Sequence, residues 1–397
     1  MTCFKTLNLS RSTLEALTGL GYIEATPIQE KSIPPLLEGA DLLGIAQTGT
    51  GKTAAFSLPI IEKFIKNKIE VAPNHCRAII LAPTRELATQ INDSIISFAK
   101  GTCLRAALII GGVSKDPQIV SMRTGVDIVI ATPGRFIDLM NDGAINVSQT
   151  EFFVLDEADM MLDMGFYEGV NDIAKKIPIS RQTILLSATM PKQIESLAHA
   201  ILIDPIKVEI TPESSTVDKI KQSVYFTLAE NKNYLLLSLL EDKSQSRILI
   251  FCKAKYAVAE LVELLNRSDI SVGEIHSNLT QGQRNKAIED FTNGEIRVLV
   301  ATDIASRGID IDNVDMVINY NMPEDATYYV HRIGRTARAN REGAAISLCS
   351  EKDLPFLRNI QKLIGTKITQ VLDHPFHHDY PVTKPKSKKR YRGRRRR

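Results

Sequence analysis

The sequence predicts an α/β protein with two tandem domains, each built on an open parallel sheet flanked by helices, followed by a disordered basic tail. Short apolar runs alternate with amphipathic segments of helical length, which is typical of a doubly wound sheet. The alternation breaks at a polar stretch around residue 211 and then resumes. A chain of 397 residues is also too long for one core, since domains usually hold about 100–200 residues.

The first domain, residues 1–208, is predicted from apolar runs bounded by polar turns. Such runs are typical of parallel strands that are buried on both faces. Parallel neighbours need a crossover between them, so the intervening segments are predicted to be helices. The predicted strands are residues 42–46, 78–81, 106–110, 127–130, 152–155 and 183–186.

The second domain, residues 219–369, repeats this pattern, with predicted helices such as 255–265 and 283–291. Between the domains, residues 209–218 include a proline-containing polar stretch without periodicity, which is typical of a linker. The predicted strands of the second domain are residues 223–227, 247–251, 271–275, 298–300, 316–318 and 345–348.

The predicted tail, residues 370–397, differs from the rest of the chain in charge. Ten of the 49 Lys and Arg residues lie within 381–397, which contains no acidic residue. The remainder has 39 basic and 46 acidic residues. This asymmetry predicts a globular body with an appendage that binds polyanions and is disordered in isolation.

Three histidines near the start of the tail, His374, His377 and His378, allow two interpretations. A His-rich tract can bind a metal ion. No cysteine or further histidine lies nearby in the sequence. We therefore interpret the tract as a solvated linker.

Cysteine usage and hydropathy indicate a cytoplasmic protein. The five cysteines are scattered without a C-x-x-C pair, and the N-terminus lacks the pattern of a signal sequence. No apolar run approaches the roughly 20 residues needed to span a bilayer. We expect no association with membranes.

The segment Ala-Gln-Thr-Gly-Thr-Gly-Lys-Thr, which begins at Ala46, has the character of a phosphate-binding loop. Gly49 and Gly51 allow backbone N–H groups to turn toward anionic oxygens. Lys52 supplies charge for the terminal phosphates, and Thr53 offers a hydroxyl to Mg²⁺. The strict pattern has glycine where Ala46 stands, so a Gly-rich turn before a helix is the alternative.

A carboxylate pair, Asp156 and Glu157, directly follows the predicted strand 152–155. In a nucleotide hydrolase Asp156 would hold Mg²⁺ through its water shell, and Glu157 would orient and deprotonate the attacking water. A helix cap is the alternative, because acidic residues favour helix N-termini. The phosphate loop upstream, in the usual order, favours an ATPase.

The sequence resembles the DEAD-box RNA helicases, and it is most similar to the short bacterial members with a basic tail, often called RhlE-like. Residues 156–159 read Asp-Glu-Ala-Asp, which is the motif that names the family, and alanine commonly begins the family's phosphate loop. Small departures are Ala25 in place of proline and Ala337 in place of glycine. The similarity covers Phe4 to about Leu363, through residues 21–22, 26–29, 83–87, 111–112, 132–135, 187–189, 249–251, 281 with 284, 301–310 and 331–338.

The resemblance implies two RecA-like domains that bind ATP and Mg²⁺. Phe4 would stack on the adenine while Gln29 pairs with its edge. Without the resemblance, Phe4 would be interpreted as a core aromatic residue and Gln29 as an amide in a turn. Arg335 and Arg338 lie three residues apart and are predicted on one helical turn. The resemblance implies that they act as arginine fingers and are not simply part of a solvated helix face. The implied nucleotide-binding residues are Phe4, Tyr22, Thr26, Gln29, Gln47, Thr48, Gly49, Thr50, Gly51, Lys52, Thr53, Gly308, Asp310, Arg335 and Arg338. The implied catalytic residues are Glu157, Lys52, Arg335, Arg338, His331, Ser187 and Thr189, and the metal would be held by Thr53 and Asp156.

RNA contacts are implied in both domains, mainly through backbone amides, hydroxyls and arginines. Such groups suit phosphates and 2′-hydroxyls, so binding is expected to be independent of base sequence. The second domain has no Gly-Lys-Thr, because residues 251–254 fill the equivalent place, and one ATP per chain is expected. The implied RNA-binding residues are Pro83, Thr84, Arg85, Gly112, Thr132, Gly134, Arg135, Gln281, Arg284 and Thr302.

These observations predict an ATP-dependent RNA helicase that binds single-stranded RNA, unwinds short duplexes locally or remodels ribonucleoproteins, and acts as a monomer. An ATP-gated RNA clamp or annealing protein is the alternative, and a DNA helicase is a third. Intact Glu157, Arg335 and Arg338 favour turnover, since a clamp needs none of them. Ribosomal precursor particles and the RNA degradation machinery both remain open as partners.

Overall fold

The computed structural model describes residues 2–47, 49–210, 220–242, 245–303, 314–336 and 343–380. The chain divides into two compact units, with described residues up to 210 in unit 1 and from 220 in unit 2. Several residues named above lie outside the described ranges: Thr48, Gly308, Asp310, Arg338, most of the predicted linker and the basic run 381–397.

Unit 1 contains one large parallel sheet and a short antiparallel pair. The pair is β1 (Thr2–Cys3) with β2 (Glu24–Ala25). The strands of the parallel sheet are β3 (Leu42–Ile45), β4 (Cys76–Leu81), β5 (Ala106–Ile109), β6 (Val126–Ala131), β7 (Phe152–Leu155), β8 (Gln182–Ser187) and β9 (Ile206–Glu209). They lie side by side in the order β5-β6-β4-β7-β8-β3-β9.

Helices cover both faces of this sheet, so its strands bury alternate side chains in two separate cores. Phe152 and Val154 of β7 lie in one core, while Phe153 and Leu155 lie in the other. This arrangement explains why the strand is apolar at every position. The helices of unit 1 are α1 (Arg11–Gly19), α2 (Pro27–Glu38), α3 (Lys52–Lys66), α4 (Arg85–Phe98), α5 (Asp116–Met122), α6 (Pro133–Asn141), α7 (Ala158–Asp163), α8 (Tyr167–Lys176) and α9 (Lys192–Ile201).

Unit 2 has the same plan. Its strands are β10 (Ile220–Phe226), β11 (Ile248–Cys252), β12 (Val272–Ile275), β13 (Val298–Thr302), β14 (Met316–Asn319), β15 (Gly343–Cys349) and β16 (Thr369–Val371), all parallel. The described helices are α10 (Lys232–Leu240), α11 (Lys255–Arg267), α12 (Gln281–Asn293), α13 (Ala326–Ile333) and α14 (Leu354–Ile364). The predicted class of two tandem RecA-like α/β domains is confirmed.

The two parallel sheets share one strand order. In unit 2 it is β12-β13-β11-β14-β15-β10-β16, which matches unit 1 when the strands are counted from β3 and from β10. The strand equivalent to β3 is therefore β10, which is followed by Thr227. Residues 251–254 instead lie at the end of β11, the equivalent of β4, so their predicted match to the phosphate loop is wrong. No Gly-Lys-Thr follows β10 either.

Residues 372–380, which we call the strap, pack against unit 2. The ring of Phe376 stacks on Tyr234, with 5.9 Å between ring centroids. The Tyr380 hydroxyl donates a hydrogen bond of 2.7 Å to the carbonyl oxygen of Thr227, directly after β10. The predicted start of the disordered tail at residue 370 is therefore too early, because rings in this stretch find apolar partners on unit 2.

The histidines of the strap are only partly solvated. Both ring nitrogens of His374 are buried, and its ring lies 5.2 Å from that of Tyr225 and 5.4 Å from that of His377, between centroids. Burial, and then the neighbouring His377, lower the pKa of His374. The interpretation of the tract as a solvated linker is thus wrong for His374.

Among the described residues, no helix combines the length and the apolar character that crossing a bilayer requires. In the same ranges, no cluster of three or more His, Cys, Asp or Glu side chains is arranged to hold a metal ion.

Candidate active site

The candidate residues of unit 1 gather at one edge of its sheet, where the carboxyl ends of the parallel strands lie. The phosphate loop follows β3, the carboxylate pair follows β7, and Ser187 ends β8; these three strands are neighbours. The candidate RNA contacts follow β4, β5 and β6, which are also neighbours. This edge is the usual ligand site of open α/β sheets.

The phosphate loop is shaped by two glycines with left-handed backbone conformations. Gly49 has φ 81° and Gly51 has φ 91°. The Gln29 carboxamide donates a hydrogen bond of 3.0 Å to the Gly51 carbonyl and accepts one of 2.9 Å from the backbone N–H of Thr26. A Cβ on Gly51 would stand 2.3 Å from Gln29 Nε2, so the loop and Gln29 fit closely only with glycine there.

Lys52 and Asp156 meet below this loop. The Lys52 Nζ donates a hydrogen bond of 3.0 Å to the Ala46 carbonyl and lies 3.9 Å from Asp156 Oδ1. Both side chains are buried, at 5% and 2% exposure. Burial raises the pKa of Asp156, while Lys52 and the N–H of Glu157, which donates to Asp156 Oδ1 at 3.0 Å, act against this shift. The pair thus brings an ammonium and a carboxylate close together with both side chains buried.

Glu157 directly precedes α7, as its N-cap residue, with a left-handed backbone conformation, φ 53° and ψ 53°. Two residues on, Asp159 Oδ2 accepts hydrogen bonds from Thr189 N at 3.0 Å and from Thr189 Oγ1 at 2.7 Å. The Ser187 hydroxyl donates to the Thr189 carbonyl at 2.7 Å. The carboxylate motif and the residues after β8 therefore form one hydrogen-bonded cluster.

The residues implied to read adenine pack against one another. The Phe4 ring lies 6.3 Å from that of Tyr22, which lies 5.7 Å from that of Phe98, between centroids. Phe4 is 2% exposed, whereas Tyr22 is 39% exposed. In this conformation the Phe4 ring does not present a free face to a base, contrary to what its implied stacking role requires.

The candidate RNA residues of unit 1 include an arginine held against a glycine. Gly112 has φ 76°, and a Cβ there would lie 2.0 Å from Arg85 Nη1. Arg135 donates to the Val113 carbonyl at 3.0 Å from Nη2. Both arginines therefore contact the loop that follows β5. Pro83, Thr84, Thr132 and Gly134 precede or begin the helices α4 and α6.

In unit 2 the candidate RNA residues occupy the equivalent strand positions. Gln281 and Arg284 lie in the first turn of α12, which follows β12, and Thr302 ends the neighbouring strand β13. Gln281 is exposed only in part, and Arg284 is buried. These strands correspond to β5 and β6 of unit 1.

His331 lies on α13, but Arg335 does not. The helix ends at Ile333, and Arg335 follows in a turn, where its N–H donates to the Arg332 carbonyl at 3.2 Å. The prediction that Arg335 projects from a helical turn is therefore wrong.

Comparisons with known proteins agree with this geometry. Residues 26–197 match the DEAD/DEAH box helicase family model, and residues 231–340 match the helicase conserved C-terminal domain. The chain is 39% identical over 372 residues to the DEAD-box ATP-dependent RNA helicase CshA of Bacillus cereus, covering 94% of this chain and 70% of that one.

The chain belongs to the DEAD-box ATP-dependent RNA helicases. It is also 38% identical over 366 residues to the ATP-dependent rRNA helicase RRP3 of Yarrowia lipolytica, covering 92% and 75% of the two chains. The predicted RNA-dependent ATPase and helicase activity is thus confirmed at the level of the family. The RhlE-like subgroup stays a prediction.

Solved structures of helicases from this family are similar to this protein. Dbp5 of S. cerevisiae bound to RNA and ADP BeF3 has a TM-score of 0.84 and 31% identity, covering 94% of this chain and 96% of that one. Mss116p bound to single-stranded RNA and AMP-PNP has a TM-score of 0.83 and 28% identity, covering 93% and 79%.

Two residues of the family motifs, one in each unit, have a role that the sequence pattern does not reveal. Asp159 is the last residue of the Asp-Glu-Ala-Asp motif, and the structure shows that it binds Thr189 through two hydrogen bonds. Arg332 is buried and forms a bidentate pair with Asp303 at 2.6 and 2.7 Å, with a further bond of 2.9 Å to Asn319 Oδ1. In the sequence, Asp159 and Arg332 each stand next to an apolar residue. A charged residue that is buried usually has a partner, so this context was the available indication of their pairing.

Proposed function

We propose that unit 1 hydrolyses ATP through Lys52, Thr53, Asp156 and Glu157. One observation carries this proposal: Lys52 Nζ lies 3.9 Å from Asp156 Oδ1, with both side chains buried beneath a loop of left-handed glycines. Lys52 would exchange its hydrogen bond with the Ala46 carbonyl for phosphate oxygens, which are stronger acceptors for an ammonium.

The donor set also fits Mg²⁺. The Asp156 carboxylate and the Thr53 hydroxyl supply hard oxygen ligands next to a phosphate loop, and Mg²⁺ is usually held by one or two such groups, phosphates and water. The ion neutralises charge on the phosphate oxygens when it is bound. Glu157, one residue beyond Asp156, is left to orient the attacking water and take its proton.

We infer that RNA binds along the carboxyl edges of β4–β6 and of β12 and β13. The candidate groups there are hydroxyls, backbone N–H groups and arginines, which recognise the ribose-phosphate backbone and not base edges. The expected substrates are single-stranded RNA and short duplexes of any sequence. Unit 1 and unit 2, the latter with the strap, would act as the two domains, joined by the linker that follows β9.

Likeness to the rRNA helicase RRP3 supports ribosomal precursor particles as one substrate class. All five cysteines are free thiols, which supports a reducing compartment such as the cytoplasm. We further infer that the active form is a monomer, since each chain carries both family domains.

Replacing Glu157 by glutamine tests the assignment of the general base. The amide keeps the shape of the side chain but cannot accept the proton, so turnover with saturating RNA should fall by about 10²–10⁴-fold. Affinity for ATP and RNA should change little. Steady-state phosphate release and equilibrium binding are the measurements.

Glu168→Gln on α8 is the matched control, because it removes the same charge at a site remote from the phosphate loop in sequence. Its turnover should equal that of the unaltered protein. If Glu157→Gln kept turnover within a factor of about three, the proposed role of Glu157 would be wrong. Normal ATP turnover without strand separation would instead favour a clamp.

A further inference from the structure

A cavity of about 360 Å³ opens at the amino ends of the strands of unit 1. Arg77 is the second residue of β4, Asp127 is the second residue of β6, and Arg105 directly precedes β5; all three line the cavity. The helicase site lies at the carboxyl ends of the same strands. The cavity is therefore at the opposite edge of the sheet, and its volume is within the range of about 300–1,000 Å³ that is usual for small-molecule sites.

Arg77 is a buried cation that is only partly paired. It is 2% exposed, and its guanidinium lies over the ring of Phe64 at 3.9 Å from the centroid. Its Nε donates to Glu151 Oε1 at 2.7 Å, and its Nη1 lies 3.5 Å from Asp127 Oδ1. The remaining nitrogen, Nη2, is buried without a hydrogen-bond partner. A buried charged donor left unpaired carries its full desolvation penalty, so an additional acceptor would be favourable.

The rest of the lining adds positive charge and apolar surface. Lys68 and Arg105 join Arg77 in the lining, where Asp127 is the one carboxylate, and Glu151 offsets part of the charge of Arg77 from outside the lining. Lys68 is exposed and makes no ion pair with any residue that the structure describes. The apolar part of the lining comes from Phe64, Ile65, Ile69, Val71 and Leu104.

We propose that this cavity binds a small organic anion with an apolar body, of the carboxylate class. The carboxylate would be drawn by Lys68 and Arg105 and would offer an acceptor to Arg77, because charge-assisted hydrogen bonds between a guanidinium and a carboxylate are strong and directional. The apolar body would lie on Ile69 and Leu104. Since the site is at the far edge of the sheet, the ligand binds independently of the phosphate loop.

The test uses the full chain and three probes. 3-Phenylpropionate carries both the carboxylate and the apolar body, 3-phenylpropanamide is its neutral counterpart, and inorganic phosphate has charge without an apolar body. Titration calorimetry should give an affinity for the acid that exceeds those of the other two probes by at least about tenfold, which is what one charge-assisted hydrogen bond supplies. The side-chain Nε–H signal of Arg77 should shift in nuclear magnetic resonance spectra only with the acid.

Two lining variants and one control locate the binding. Lys68→Glu reverses charge at the exposed mouth, and Ile69→Trp, at a position that is 57% exposed, fills space without touching the core. Both should weaken binding of the acid by about tenfold or more. Lys66→Glu makes the same charge change on α3 at a residue that does not line the cavity, and it should bind as the unaltered protein does.

Saturating ATP with Mg²⁺ should not displace the acid. Four results would each overturn the proposal: no binding of 3-phenylpropionate up to its solubility, equal binding of the amide, equal effects of Lys66→Glu and Lys68→Glu, or an unmoved Arg77 signal. Displacement by ATP would assign the binding to the helicase site instead.

Discussion

Glu157 is held in a backbone conformation that side chains usually avoid. Its φ of 53° places it in the left-handed region, which costs a non-glycine residue about 1–2 kcal/mol. The turn lets the chain leave the buried end of β7 and begin α7 after only two residues. Strain of this kind persists at functional sites because the surrounding structure enforces it. The position of the proposed general base is thus fixed by its backbone.

Gly112 allows a prediction at the same scale. Gly112→Ala should lower RNA affinity and RNA-stimulated ATP turnover, because the new Cβ would lie 2.0 Å from Arg85 Nη1 and push that guanidinium away. The arginine end is flexible, so the fold should survive, with a decrease in stability of about 1–2 kcal/mol from the left-handed backbone alone. RNA titrations by fluorescence anisotropy measure the first effect and chemical unfolding the second.

Gly143→Ala is the control for backbone strain. Gly143 has φ 73°, and a Cβ there would meet nothing within 4 Å. The Gly143→Ala variant should therefore lose about as much stability as Gly112→Ala, while its RNA affinity stays normal. Equal RNA affinity in both variants would show that Arg85 does not contribute to the RNA site.

At the scale of whole elements, the contribution of the strap to the stability of unit 2 can be measured. Phe376→Ala should lower the free energy of unfolding of unit 2 by about 1–2 kcal/mol, because a half-buried ring no longer stacks on Tyr234. Hydrogen exchange should accelerate in residues 372–380 and in β16. Mass spectrometry of exchanged peptides is the measurement.

Leu372→Ala provides the comparison for this element. Leu372 belongs to the strap but is 59% exposed, so its truncation should change stability little. An unchanged exchange rate in Phe376→Ala would mean that the strap is held by its backbone and by Tyr380, without help from the ring.

Periodicity made the buried strands predictable, and it missed one edge strand of each parallel sheet, β9 and β16. β7 is apolar at all four positions because both of its faces are covered, so the run Phe-Phe-Val-Leu indicated a strand without ambiguity. β9 and β16 pair with one neighbour each and are largely exposed, so their sequences carry no apolar run. The apolar pattern does not predict β9 and β16, because these exposed strands are held by backbone hydrogen bonds and need few apolar side chains.

The site was predictable to the extent that its chemistry is local. The glycines, Lys52 and the carboxylates indicate phosphate binding through residue type and spacing. The bond from Gln29 to the Gly51 carbonyl joins residues 22 positions apart, and no local pattern contains it. The burial of Phe4 and the pairing of Arg332 with Asp303 are likewise products of packing, which sequence spacing does not encode.

For the whole molecule, the basic run 381–397 supports a prediction from charge alone, since it lies outside the described residues. Removing it should weaken RNA binding, flatten the dependence of affinity on salt, and raise the RNA concentration for half-maximal ATP turnover. For every RNA phosphate that the basic run neutralises, its removal should reduce the slope of log affinity against log salt by about 0.7 for single strands. The turnover rate at saturating RNA should stay the same.

A chain in which residues 381–397 are replaced by glycine and serine at equal length separates charge from length. It should behave as the truncated chain does. Parallel lines of log affinity against log salt for all three proteins would show that the basic run does not bind phosphates. A collapse of the saturated rate would make it part of the ATPase itself.

The shared strand order places Thr227 of unit 2 where unit 1 begins its phosphate loop, because β10 is the equivalent of β3. In unit 1 this position is followed by glycines and a lysine that suit an anion. In unit 2 the carbonyl oxygen of Thr227 accepts a hydrogen bond from Tyr380 of the strap. One and the same position of the fold therefore faces a candidate ligand in one unit and a segment of the chain in the other.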